Sequence, residues 1–473
     1  MNQLRAVIGL LLISLPVFSQ EAGGTAAAGV VAVASLDEQG RAARQGLGVA
    51  AGKEGCILTC AGLVDRGRGG VVMTPGGTLH RIQREIYRDE LQDLALVETE
   101  AAGLNAAALA AGDGLSRGDQ VSLVVENGDR LAVQEAAVAS LHPFSPRLKL
   151  VKLENVELSG LRAGTPIFTR EGKLAGLLHA FGGDSEAEKS CRFFLVHHAG
   201  QLPAKDAGRG AGPKDAPEIF GSATHARFWQ GVAASLRQEW SRAQAQFTAA
   251  LQAPEKLPEA YFGRGVARLH QGDVRGAVSD LEEAAGLLPG YALACLWLGR
   301  AWEGLEKPEN ARQAYRRAAD LAPDLGEAWF RLGRLAYQDG KWREAQDYLE
   351  RAGDDCGRPA QRWWYLGQIH AAQGQNDSAL EAFQQAVKAD ARFEAAYLET
   401  GRMLLDLGRP QDAGLPLARL LELQPRHSEA RYLLALAHLA SWNAAGAWEQ
   451  YAALLKIDPG RAARLARRLE KNP

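Results

Sequence analysis

The sequence predicts a multidomain chain, with an all-β barrel domain first and an all-α solenoid after it. Three observations carry this reading. Residues 224–459 repeat with a period of 34, the length of a helix–turn–helix unit. Residues 25–200 instead read as short β-rich runs punctuated by glycine, such as Gly-Val-Val-Ala-Val-Ala-Ser (29–35) and Gln-Val-Ser-Leu-Val-Val (120–125). Between the two, residues 201–222 are rich in Gly, Pro, Ala and Lys, the composition of a semi-flexible linker. At 473 residues the chain is too long for one compact domain. Lys+Arg 54 against Asp+Glu 56 leaves −2, so no net field draws it to nucleic acid or to an anionic membrane. A hydrophobic content of 47% excludes wholesale disorder, and five cysteines are too few for a disulfide-built scaffold.

The chain opens on a secretory signal pattern over residues 1–20. Arg5 precedes an apolar run from Ala6 to Phe18, and Val17-Phe18-Ser19 then offers a cleavage exit. The run is shorter than the roughly 20 residues a spanning helix needs. No later segment is apolar enough to cross a bilayer. The expectation is an exported protein, periplasmic or secreted, that does not span the membrane.

Four segments of the β-rich half stand in a telling order. They are Gly-Cys-Ile-Leu-Thr-Cys-Ala-Gly-Leu-Val (55–64), Asp-Glu-Leu-Gln-Asp-Leu-Ala-Leu-Val (89–97), Gly-Asp-Gly-Leu-Ser-Arg-Gly-Asp-Gln-Val (112–121) and Gly-Thr-Pro-Ile-Phe-Thr-Arg-Glu-Gly-Lys-Leu-Ala-Gly-Leu (164–177). Together they resemble the trypsin-like protease domain of the HtrA type, a double β-barrel serine protease. The resemblance fails where the chemistry sits. The family's histidine falls on Gly62 and its nucleophilic serine on Ala163, so only the aspartate, Asp93, survives. Acyl transfer on that template needs a hydroxyl to attack, an imidazole to take its proton and a carboxylate to orient the imidazole. Leu161 also stands where the family supplies a glycine amide to the oxyanion hole. The resemblance therefore implies a pseudoprotease with no catalytic residues. Ser140, Ser145, Ser159, His80 and His142 read as loop residues rather than as substitutes. His197-His198 would point to opposite faces of a strand, with no ligand cluster beside them, so no metal and no cofactor is expected.

Cys56 and Cys60, four apart in a strand, stand about 13 Å apart at ~3.3 Å per residue and do not bridge each other. Whether either pairs with Cys191 is left open.

In the second half, Gly231, Gly265, Gly299, Gly333, Gly367 and Gly401 stand 34 apart, with Ala435 next in line. Twelve residues after each comes an alanine (Ala243, Ala277, Ala311, Ala345, Ala379, Ala413, Ala447). Four further on comes a large apolar residue: Phe247, Leu281, Tyr315, Leu349, Phe383, Leu417, Tyr451. The small residues let two antiparallel helices approach, and the large one is expected to fill the gap between successive pairs. Gly272-Asp273 and similar dipeptides break the chain between helices, and Pro289, Pro323, Pro425 and Pro459 stop the second helix of four units. Cys295 shares its repeat position with Trp329 and Trp363 and reads as a buried apolar filler. The pattern resembles seven consecutive tetratricopeptide repeats, with residues 460–473 as a polar-faced capping helix.

In that family the first helix of each pair lines a concave surface. The resemblance places Arg300, Arg334, Gln368 and Arg402 there, one past each repeat glycine. Phe262, Phe330, Trp364 and Tyr432 stand three before the corresponding position. Arginine forks beside aromatic faces suit an acidic peptide or a free C-terminus. A second role is open for the arginines: pairing with Glu303, Glu327 or Glu399 for solubility. The expected function is an exported interaction scaffold that takes a protein or peptide partner. The alternative is an active exported serine protease whose repeats recruit substrate.

Overall fold

The computed structural model describes residues 29–36, 42–51, 55–60, 63–64, 70–74, 78–89, 94–101, 104, 106–108, 115–127, 130–145, 148–154, 161, 164–171, 173–177, 193–196, 222–253 and 256–470. The signal pattern, the linker to residue 221, Cys191 and His197-His198 lie outside them. The chain divides into two compact units, Met1–Ala294 and Cys295–Pro473.

The first unit begins with six strands: β1 (Val30–Leu36), β2 (Ala42–Ala50), β3 (Cys56–Cys60), β4 (Gly70–Met73), β5 (Leu79–Asp89) and β6 (Leu94–Thr99). They close an antiparallel barrel in the order β1-β2-β3-β6-β5-β4, sealed where Ala32 of β1 pairs with Met73 of β4. Side chains alternate along each strand, yet in β1, β3, β4 and β6 both sets are buried. Val31, Val33, Ile57, Val72, Ala95 and Val97 form one core. Val30, Ala32, Val49, Leu58, Leu94 and Leu96 form another, shared with Val124, Phe168, Leu174 and Leu177 of the next sheet. That is why these four strands read as largely apolar runs, whereas the charged β5 does not.

Six further strands follow: β7 (Gln120–Asn127), β8 (Arg130–Ser145), β9 (Leu148–Glu154), β10 (Pro166–Thr169), β11 (Leu174–Leu177) and β12 (Phe193–Val196). They make one sheet in the order β11-β10-β7-β8-β9-β12. The long β8–β9 hairpin carries a β-bulge between Pro143 and Ser145, next to its tip.

The helices come in pairs. The first two pairs are α1 (Ser222–Leu236) with α2 (Trp240–Ala250) and α3 (Pro258–His270) with α4 (Val274–Leu287). α5 (Ala292–Gly304) spans the division between units and is followed by α6 (Pro308–Leu321). The second unit continues with α7 (Gly326–Gln338) and α8 (Trp342–Ala352), α9 (Pro359–Ala372) and α10 (Asn376–Ala389), α11 (Glu394–Asp406) and α12 (Pro410–Leu423), and α13 (Ser428–Ala440) and α14 (Ala444–Ile457). A single last helix, α15 (Pro459–Leu469), buries Ala462, Leu465 and Leu469 against Ala435, Ala447 and Leu454. Proline opens α3, α6, α9, α12 and α15, where a missing N–H costs no hydrogen bond. Asp273, Asn443 and Asp458 accept backbone N–H bonds at the helix starts they precede.

The 34-residue period has a concrete cause that adds to the expected one. The large apolar residue packs on the glycine of its own pair, and Phe247 also fills the gap to the next pair, closing on Gly263 of α3 as well as on Gly231 of α1. A Cβ on Gly299 would stand 2.4 Å from the Tyr315 ring, one on Gly333 2.7 Å from Leu349, and one on Gly367 2.5 Å from Phe383. The repeat alanines Ala243 to Ala447 are fully buried. Between the two helices of a pair, one residue takes a positive φ: Gly272, Gly340, Gly374 and Gly408, but Gln238, Glu306 and Trp442 in the other three.

Candidate functional site

Gly62, Asp93 and Ala163 lie outside the described residues, so the triad positions have no geometry to report. Their immediate neighbours do. Gly164 adopts φ +80, and a Cβ there would come within 1.9 Å of the Leu47 carbonyl oxygen. Only glycine fits, because the turn into β10 lies directly on β2. Leu161 packs on the sheet core of Val121, Leu123 and Val151. His80 lies in β5, and Ser140, His142 and Ser145 lie in β8, rather than in the loops expected for them. Ser159 is outside the described residues.

The arginines expected on one surface of the repeats are already engaged. Arg334 donates to Glu303, which also pairs with Arg331 at 3.2 Å; Arg331 in turn reaches Glu327 at 3.0 Å. Arg402 donates to both carboxylate oxygens of Glu399 at 3.1 Å and to Glu429 at 2.5 Å. The pairing role left open in the sequence is therefore the one these side chains fill. Arg300 stacks its guanidinium 3.9 Å over the Trp297 ring, and burial draws its pKa below the usual guanidinium value. Gln368 stands beside Glu399 and favours its charged form. Burial raises the Glu399 carboxyl above the ordinary carboxylate range, although Arg402 and Gln368 pull the other way.

The aromatics split as well. Phe262 and Phe330 are buried, Trp364 is half-buried, and Tyr432 packs against the core under α15. Three of the eight expected residues meet in one place. Phe330, Arg334 and Trp364 line a cavity of about 350 Å³ together with Arg331, Arg358, Tyr365 and Phe393. The indole Nε1 of Trp364 is buried there without a hydrogen-bond acceptor among the described residues. Arg358 is exposed and, among the described residues, makes no ion pair; the one hydrogen bond of its side chain goes to Gln361 at 3.4 Å. Cavity and cation thus combine flat apolar walls, a donor in want of an acceptor and an available guanidinium. Such a site favours an anionic group attached to an apolar or aromatic stem.

Sequence reasoning missed Arg358, Tyr365 and Phe393. Arg358 stands at the residue before α9, and although Arg392 and Arg426 repeat it at 34-residue steps, a repeat in a connection carries no sign of which copy meets a cavity. Phe393 is likewise the residue before α11. Tyr365 could have been found, since it follows Trp364 on the same helix.

Residues 46–177 match the model of a trypsin-like peptidase domain, and six overlapping spans within 230–462 match that of a tetratricopeptide repeat. Among curated proteins, tetratricopeptide repeat protein 7A of Homo sapiens is 30% identical over 123 residues, which is 26% of this chain and 14% of that protein. The CTR9 homolog of Arabidopsis thaliana is 25% identical over 140 residues, 28% of this chain and 13% of that protein. The chain thus spans only a small part of these relatives. Among solved structures, YrrB, described as a TPR protein with an unusual peptide-binding site, is 21% identical with a TM-score of 0.37, covering 40% of this chain and 97% of YrrB. PilW, described as a type IV pilus biogenesis factor, is 21% identical with a TM-score of 0.37, covering 45% of this chain and 99% of PilW.

Proposed function

This chain is a trypsin-like peptidase domain followed by tetratricopeptide repeats, and from that premise we propose that it works as an exported protein-interaction scaffold. In this reading the repeats bind a segment of a partner protein and the peptidase-like half does not cleave. The observation that carries the binding role is the cavity of Phe330, Trp364 and Tyr365 with Arg358 at its edge. It favours a peptide in which a carboxylate follows or flanks an apolar side chain. Gly62 and Ala163 support the loss of cleavage, because neither side chain can accept or supply the proton that acyl transfer requires. The apolar run after Arg5 supports export.

The test is binding of a fluorescein-labelled peptide with two aspartates flanking a phenylalanine, read by anisotropy. Arg358→Ala should weaken it by about 1.5–3 kcal/mol, the range for a hydrogen bond to a charged group. Its thermal midpoint should stay unchanged, because Arg358 is exposed and holds only Gln361. Undiminished binding by the variant would remove the cavity from the proposal.

A further inference from the structure

Phe262 was expected to face a partner, yet it is 5% exposed. What covers it belongs to the same chain. At the bulge near the tip of the β8–β9 hairpin, Phe144 drops out of the strand register, since Pro143 pairs with Lys149 and Ser145 with Leu148. A bulge of this kind re-aims a side chain out of its sheet. The Phe144 ring meets Phe262 edge-on at 5.4 Å and 87°, and Phe228 of α1 at 6.0 Å and 79°. Tyr291 lies 5.0 Å from Phe262, completing three walls, and its hydroxyl donates to the Phe144 backbone carbonyl. Phe228 is 2% and Tyr291 0% exposed. Edge-to-face packing plus a hydrogen bond to the backbone of the inserted residue is how a pocket recognises a side chain together with the strand that carries it.

We propose that the first two repeats form a second binding site, specific for a phenylalanine presented by an extended or hairpin backbone, and that Phe144 is its resident ligand. The peptidase-like domain thereby occupies the early repeats, and an external phenylalanine-bearing strand gains access only by displacing the hairpin. Binding there carries the cost of releasing Phe144, whereas the cavity at Arg358 carries none, so the two sites differ in kind. This inference uses none of the residues of that cavity.

The probe is the hairpin's own sequence, a labelled nonapeptide Leu-His-Pro-Phe-Ser-Pro-Arg-Leu-Lys. Phe144→Ala in the full chain should bind it at least tenfold more tightly than the unmodified chain, and adding Phe262→Ala should abolish the gain. Phe144→Leu keeps an apolar side chain in the hairpin and loses only the edge-to-face ring contacts, leaving the pocket intact, so it should give a smaller gain in the same direction. It decides the matter if Phe144→Ala does not fold. Equal affinity of the unmodified chain and the folded Phe144→Ala chain, absence of binding to that folded variant, or no change with Phe144→Leu where only that variant can be read, would each overturn the proposal. Loss of peptide binding in Arg358→Ala leaves this site unaffected, which separates the two proposals.

Discussion

Asp280 is a charge inside the helix packing, 4% exposed, and it has two partners. Arg264 grips it with paired hydrogen bonds of 2.9 and 2.7 Å, and Arg268 adds a third at 2.8 Å. Removing one member of a buried ionic group leaves the others without compensation. Asp280→Ala should therefore cost about 3–5 kcal/mol, read as a shift in the urea midpoint of the early repeats. Nothing in the period announced this: the matching positions Ala314, Tyr348 and Ala382 are uncharged, so the triad is local to one repeat. Glu399 gives a residue-scale test in pH. Its carboxyl is raised by burial, so between the ordinary glutamate value of about 4.3 and its folded value the native chain holds a proton that the unfolded chain lacks. Stability from this group is then lost as pH rises through that window. Glu399→Gln should remove that slope, and equal slopes for the two chains in denaturation series across the window would contradict it.

At the scale of single elements, the turn inside each helix pair demands one residue with positive φ. Four repeats place glycine there, but Gln238, Glu306 and Trp442 carry side chains through the same angle, at φ 61, 55 and 61. A side chain in that region costs about 1 kcal/mol relative to glycine. Glu306→Gly should raise stability by up to about 1 kcal/mol in chemical denaturation, less what the freer unfolded chain takes back. The reverse holds inside the helices. Gly299→Ala drives a methyl into the Tyr315 ring and should cost about 1–3 kcal/mol. These elements were legible because each repeat solves one packing problem with the same residues. Phe330, Arg334 and Trp364 were legible for the same reason. Arg358 and Phe393 were not: they sit in the connections before α9 and α11, and their counterparts Arg392 and Arg426, or Tyr291 and Leu325, do not tell which copy meets a cavity. Of the ion pairs, Arg402 with Glu399 is three residues apart and Arg334 with Glu303 was among the pairings named from the sequence, whereas Glu429, 27 residues from Arg402, was not.

For the whole molecule, the two-domain plan followed from periodicity and from the run of glycine-bounded strands, and both have the physical causes described above. What spacing could not convey is that a bulge in β8 turns Phe144 onto the first repeats, since that contact joins residues 144 and 262 across two unlike folds. A chain that binds a peptide without cleaving it can be recognised in a single experiment: the purified chain is titrated with the labelled aspartate–phenylalanine peptide, and the bound sample is then followed by mass spectrometry for a day. Saturable binding with the peptide intact is the expected result. Cleavage products that disappear with Ser159→Ala or Ser140→Ala, or the absence of any binding, would contradict it.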